Sequence, residues 1–197
     1  MVMQQPSKGN VWTTREIVVT AAVCVVIGLL FVFWGQVYTL AEAATGPLGA
    51  AFANGFWMIG GVIIAYIVRR PGAALTGELL AALVSLPFSP WGWTVLISGL
   101  VQGLGAEVGF AAFRWRNYSW PVLMLAGALA ALGGWVQEYL PYEYGALEVW
   151  MQVATVAFRM LGGAVLAGLL TKGIVDALAA TGVLHAFPAG RQRIEEV

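Results

Sequence analysis

Six apolar runs, each parted from the next by a glycine- or proline-containing turn, leave this chain few ways to fold. They cover residues 17–40, 52–68, 73–88, 93–113 and 120–140, and a sixth begins near 147 and fades past 170. Each has roughly the ~17–25 residues that a helix needs to cross hydrocarbon, although the third is short. In lipid no water is available to pair a free N–H or C=O, so apolar runs of this length have to be helices. The breaks carry turn chemistry: Gly46-Pro47, Arg70-Pro71-Gly72, Ser89-Pro90-Trp91-Gly92, Trp120-Pro121 and Leu140-Pro141. The pattern predicts an all-α membrane protein, a six-transmembrane-helix bundle over residues 15–182 with tails at 1–14 and 183–197.

Charge supports the same reading. Of the 197 residues 60% are hydrophobic and 10% charged, whereas a soluble domain carries about 25% charged residues. Ten basic and ten acidic side chains cancel, so composition gives no argument for a nucleic-acid partner. Lys8, Arg15, Arg69, Arg70, Arg114, Arg116, Lys172, Arg191 and Arg193 all fall on one side of a six-crossing topology. The positive-inside rule makes that side cytoplasmic and places both termini there. Ala41-Glu42-Ala43 resembles a signal-cleavage site, but the run before it exceeds the ~7–15 residues of a signal-peptide core. The sequon Asn117-Tyr118-Ser119 falls in a loop on the cytoplasmic side.

Few side chains could carry chemistry. Cys24 is the only cysteine and His185, in the C-terminal tail, the only histidine. No disulfide, metal cluster or resident cofactor is therefore expected. The apolar runs hold no Ser–His, Asp–Asp or metal-ligand set, so an enzyme is not expected either. Three charges remain inside them: Glu78, Glu107 and Arg159. Each is costly in lipid and has to face the interior of the bundle. Either Arg159 serves both carboxylates in one structural triad, or one pairs with it and the other is left for a cation or a proton.

Glu42, Glu138, Glu143 and Glu148 lie at or near the outer surface with no basic residue among them. They form either ordinary loop solvation or an acidic mouth that concentrates cations. Trp34, Tyr38, Trp57, Trp91, Trp93, Trp135, Tyr139, Tyr142 and Tyr144 crowd the same half. Such rings anchor helix ends at the interface, but Trp34, Trp57 and Trp135 lie deeper and suit a box for an organic cation. Gly99, Gly103, Gly105 and Gly109 make two G-x-x-x-G spacings beside Gln102 and Glu107, which permit close helix approach. Thr20, Cys24 and Gly28 form a smooth stripe on the first helix, either packed internally or offered to a partner membrane protein.

Several segments together resemble a known family. They are Gly55-Phe-Trp57-Met, Ala65-Tyr-Ile-Val-Arg69-Arg70-Pro71-Gly72-Ala-Ala-Leu75, Glu78-Leu-Leu-Ala-Ala-Leu83, Ser89-Pro90-Trp-Gly92, Gly99-Leu-Val-Gln102-Gly103-Leu-Gly105-Ala-Glu107 and Pro121-Val-Leu-Met-Leu-Ala-Gly127. This pattern is similar to the YkoE-type substrate-binding (S) components of energy-coupling factor (ECF) vitamin transporters, over most of residues 16–182. The resemblance implies a multi-pass subunit of a prokaryotic cytoplasmic (inner) membrane that binds thiamine or a hydroxymethylpyrimidine (HMP)-related precursor. A separate transmembrane coupling subunit and cytoplasmic ATPases would drive it. It also implies that the stripe of Thr20, Cys24 and Gly28 meets the coupling subunit, although the alanine pair common elsewhere is absent.

A pocket for thiamine, a fixed cation joined to a flat aminopyrimidine, would need aromatic faces, a carboxylate and amides. Trp34, Trp57 and Trp135, then Glu78, Glu107 and Glu138, then Asn54 and Gln102 are the candidates. Glu78 and Glu107 lie toward the cytoplasmic ends of their helices, whereas Glu138 lies near an outer end and is an alternative anchor. The competing functions are a proton-coupled secondary transporter of small organic cations and a structural assembly subunit that binds no small molecule.

Overall fold

The computed structural model describes residues 12–195, with side chains described through residue 191. Lys8 and most of the N-terminal tail lie outside the described residues, as do residues 196–197 and the side chain of Arg193. The elements run α1 (Thr14–Asn54), a 3-10 turn (Gly55–Met58), α2 (Ile59–Val68), α3 (Ala73–Ser85), α4 (Thr94–Ala111) and α5 (Trp120–Glu138). They continue with α6 (Val149–Gly162), a π-helical turn (Gly163–Leu169), α7 (Leu170–Ala180) and α8 (Pro188–Glu195). Among the described residues, Thr14–Val68, Thr94–Ala111, Trp120–Glu138 and Val149–Ala180 are long and apolar enough to cross a membrane, and Ala73–Phe88 is a shorter apolar helix.

Local chemistry sets the ends of these helices. Thr13 and Glu16 close a capping box on α1: the Glu16 N–H donates to Thr13 Oγ1 at 3.3 Å, and the Thr13 N–H donates to Glu16 Oε2 at 2.7 Å. Gly46, at φ 71°, breaks α1 just before Pro47, a conformation that a residue with a β-carbon resists. The chain turns back there. Trp34 Nε1 donates to the carbonyl of Ala53 at 2.8 Å and Trp57 Nε1 to that of Phe31 at 3.3 Å, while Glu16 meets Arg70 at 2.9 Å. Residues 14–68 therefore form an antiparallel hairpin. Its second arm is enclosed, since all ten residues of α2 are buried, as expected of a helix that is apolar on every side.

Small residues bring the backbones together. A β-carbon on Gly99 or Gly103 would lie 2.7 Å from Ala82 Cβ or 2.9 Å from Leu75 Cα, so this pair sits against α3. One on Gly105 or Gly109 would lie 2.5 Å from the Leu129 carbonyl or 2.6 Å from Ala126 Cα, so that pair sits against α5. The two G-x-x-x-G spacings thus serve two neighbours. A third contact joins α5 to the π-helical turn, where a β-carbon on Gly163 would lie 2.3 Å from the Gly127 carbonyl oxygen. Near the closed end of the hairpin a β-carbon on Gly55 would meet the backbone of Gly162 at 2.0 Å. Many large apolar side chains point outward, Phe33, Leu140 and Val149 among them, and in a bilayer these face lipid.

Three expectations change. The sixth run is longer than its hydropathy suggests, continuing through the π-helical turn to Ala180. The tail folds back on the bundle and buries Leu184 and Phe187. The stripe on α1 is turned inward rather than offered to a coupling subunit. Thr20 and Cys24 are each 1% exposed, Cys24 Sγ donates to the Gly77 carbonyl at 3.4 Å, and a β-carbon on Gly28 would lie 2.6 Å from Val84 Cβ. These small residues let α3 approach, and that contact leaves no free face at their positions.

Gly163→Ala should therefore cost about 1–3 kcal/mol through overpacking, read as a lower thermal midpoint in detergent micelles. Gly173→Ala, where nothing lies within 4 Å of the new carbon, should leave the midpoint equal or slightly higher.

Candidate functional site

Arg159 determines where the polar centre of the bundle lies. Gln152, Thr155 and Arg159 share one face of α6, spaced three and four apart on an otherwise apolar helix. Arg159 is 1% exposed, so its charge has to be met inside the protein. Its Nη1 donates to Glu138 Oε2 at 2.7 Å, and its Nε and Nη2 donate to Asn54 Oδ1 at 3.2 and 2.7 Å. Glu138 ends α5 and Asn54 ends α1. The contact of Gly55 with Gly162 brings the end of α1 within reach of α6. Three helices thus converge on one guanidinium. Tyr144 lies in the loop after α5, and burial pushes its phenol above the ordinary value. It remains a neutral donor at physiological pH.

Aromatic rings surround this cluster. Trp135 stands edge-on to Tyr139, with ring centres 5.0 Å apart, and nearly parallel to Tyr144 at 6.1 Å. Tyr139 donates to Gln152 Oε1 at 3.2 Å, and Gln152 Nε2 donates to the Leu147 carbonyl at 2.8 Å. Between α5 and α6 lies an apolar groove of about 380 Å³ lined by Trp135, Val149, Gln152, Val153 and Met160 among others. The Trp135 indole N–H is buried and has no hydrogen-bond partner among the described residues, a state that costs about 1–3 kcal/mol unless something accepts from it. On the hairpin side Trp57 packs against Tyr38 at 5.2 Å and Trp91 at 5.4 Å. Trp34 stacks on Phe56 at 4.1 Å. Their indole N–H groups are bonded to backbone carbonyls, so both rings also fasten the hairpin.

The other candidate residues stand elsewhere. Glu78, fully enclosed, accepts the Gly61 N–H at 2.6 Å. Glu107 Oε1 accepts the Ala74 N–H at 2.8 Å and its Oε2 accepts Trp115 Nε1 at 2.8 Å. It thereby caps the exposed N–H groups at the start of α3 from a neighbouring helix. Gln102 is buried against Gly134, whose missing side chain leaves it room. Neither Glu78 nor Glu107 pairs with Arg159, so both the triad and the surplus carboxylate beside Arg159 give way to a Glu138–Arg159 pair. Helix order explains the difference: α5 and α6 are packed neighbours, and Glu138 sits at the depth of Arg159. Arg159 brings Asn54 and Glu138 together, Trp135 stands one turn before Glu138 on α5 and lines the groove against α6, and Trp57 and Trp34 fasten the hairpin.

Sequence reasoning did not single out Gln152 or Phe56. Gln152 had a legible signal, since it lies seven residues before Arg159, on the same helix face. Tyr38, Tyr139 and Tyr144 were legible only as interfacial rings.

Three comparisons with known proteins bear on this arrangement. A family model described as "ABC-type cobalt transport system, permease component" matches residues 15–133. A protein of Bacillus subtilis (strain 168) named for an HMP/thiamine permease, YkoE, is 38% identical over 182 residues, 92% of either chain. The crystal structure of an S component of an ECF transporter aligns with a TM-score of 0.89 and 36% identity, covering 94% of this chain and 95% of that one.

Removing one partner of a buried ion pair leaves an uncompensated charge, which costs about 3–5 kcal/mol. Arg159→Met should therefore lower the thermal midpoint more than Arg159→Met combined with Glu138→Gln. Strictly additive losses would show that the two side chains do not depend on each other.

Proposed function

The chain belongs to the YkoE-type S components of ECF transporters, and from that premise we propose that it captures thiamine or an HMP-related precursor at the Arg159 cluster. It is a multi-pass transport subunit and not an enzyme. In this reading it crosses the inner membrane six times with both termini in the cytoplasm. The hairpin of residues 14–68 and the gathering of Arg15, Arg69, Arg70 and Arg191 around one cleft support that topology. A transmembrane coupling subunit and cytoplasmic ATPases would supply the energy.

Support for the ligand reading comes from unused polar capacity in the Arg159 cluster and from the indole N–H of Trp135, one turn before Glu138 on α5, which has no partner among the described residues. Glu138 binds Arg159 through Oε2, and its Oε1 has no partner among the described residues. Asn54 accepts twice through Oδ1, which leaves its amide N–H groups to donate. An aminopyrimidine presents an amino donor and ring-nitrogen acceptors along one edge, the complement of a carboxylate, an amide and an indole N–H. Trp135, Tyr139 and Tyr144 offer faces to a thiazolium, an attraction of about 2 kcal/mol when desolvated. Glu138 pairs with Arg159, so the empty site carries no unpaired charge. Trp57 and Tyr38 close the hairpin side.

Glu78 and Glu107 are left out of this site because backbone N–H groups already occupy them. The cobalt named in the family description suggests a metal ion as the second reading. Cobalt asks for several imidazole, thiolate or carboxylate donors, and among the described residues no three of these converge.

Calorimetry with thiamine on the purified protein tests the assignment. Trp135→Phe keeps the ring and deletes the donor, and it should weaken binding about tenfold, the worth of one hydrogen bond. Glu138→Gln should weaken it further, and Glu107→Gln should leave it unchanged. Loss of binding with Glu107→Gln and none with Trp135→Phe would move the site to the other end of the bundle.

A further inference from the structure

At the end of the bundle opposite the Arg159 cluster lies a cleft of about 560 Å³ with a different chemistry. Its wall carries four guanidinium groups: Arg15 on α1, Arg69 and Arg70 in the turn after α2, and Arg191 on α8. The described wall includes one carboxylate, Glu16, and it is already bound to Arg70 at 2.9 Å. Arg69 is fixed in place. It occupies the left-handed region at φ 54°, its Nε donates to the Tyr66 carbonyl at 3.3 Å, and its guanidinium lies 5.1 Å from the ring centres of both Tyr66 and Tyr118. Arg15 and Arg191 are exposed and pair with no carboxylate among the described residues. Val68, Ala186, Phe187 and Pro188 give the wall an apolar part, and Thr13 and Thr14 complete it.

Position decides what such a cleft can take. Arg15 is at the start of α1 and Val68 at the end of α2, so the cleft opens where the membrane-crossing stretch Thr14–Val68 begins and ends. That is the level of lipid phosphates. Like charges gathered around one cavity repel one another until an anion sits among them. We propose that this cleft binds the headgroup of an anionic phospholipid. The phosphate lies among Arg15, Arg69 and Arg191, and the glycerol and first acyl carbons rest on Val68, Phe187 and Pro188. Basic pockets at the ends of membrane helices hold anionic headgroups in this manner. The site is separate from the ligand cluster and does not depend on which vitamin binds there.

Native mass spectrometry of the full chain in a mild non-ionic detergent tests it. Phosphatidylglycerol and phosphatidylcholine with the same acyl chains are titrated in parallel. The protein should retain phosphatidylglycerol roughly tenfold better, and Arg15→Gln with Arg191→Gln should erase that preference while phosphatidylcholine retention and the thermal midpoint stay unchanged. Equal retention of the two lipids, or a preference that survives the double substitution, overturns the proposal. So does saturation by inorganic phosphate without lipid selectivity, which would mark a free-anion site. Capture of a polyglutamate peptide in place of lipid overturns it too, and would assign the cleft to an acidic protein partner.

Discussion

A guanidinium cannot be left bare inside an apolar bundle, and in this protein that requirement sets the geometry of one whole end. Arg159 draws Glu138 from the end of α5 and Asn54 from the end of α1 onto itself. Those helices can reach it because glycines at 55, 127, 162 and 163 let their backbones nearly touch. Packing and charge are therefore coupled: filling a glycine contact would shift the partners of Arg159, and losing a partner would leave a charge that packing cannot absorb. Trp135 stands one turn before Glu138 on α5, with Tyr139 and Tyr144 packed against its ring. Each group that would touch a ligand is held by a neighbour, which lowers the ordering cost of binding.

Several of the remaining buried polar groups tie one helix to another. Glu78 accepts the Gly61 N–H of α2, and Glu107 accepts the Ala74 N–H at the start of α3. Tyr66 and Lys172 both bond to Asp176, tying α2 to α7. The basic end holds caps, ion pairs and cation–π contacts, together with the buried hydroxyls of Thr20, Tyr118 and Thr171, which have no hydrogen-bond partner among the described residues.

How much of this could be read from the sequence depended on the range of the interaction. Helix positions were legible because apolar runs and Gly-Pro breaks are local signals, and the hairpin turn at Gly46-Pro47 was among them. The two glycine spacings on α4 were legible as packing faces for the same reason. The partner of Arg159 was not, because nothing local distinguishes Glu138 from Glu78 or Glu107; only the packing of α5 beside α6 does. The stripe of Thr20, Cys24 and Gly28 left two readings open, and the nearness of α3 decided between them. The π-helical turn was hidden as well, since its run of Gly162, Gly163 and Gly168 signals close approach without saying what approaches. Trp135 could be listed as a deep ring, but its unpaired N–H depends on where every neighbouring acceptor lies.

The central claim is that ligand binds where Arg159 gathers Glu138 and Asn54, and a structure of the protein crystallised with thiamine tests it most directly. The account predicts ligand density within about 3 Å of Trp135 Nε1 and Glu138 Oε1, with the Arg159 pair intact. Density beside Glu78 or Glu107 instead, with the outer cluster unchanged and empty, would contradict it.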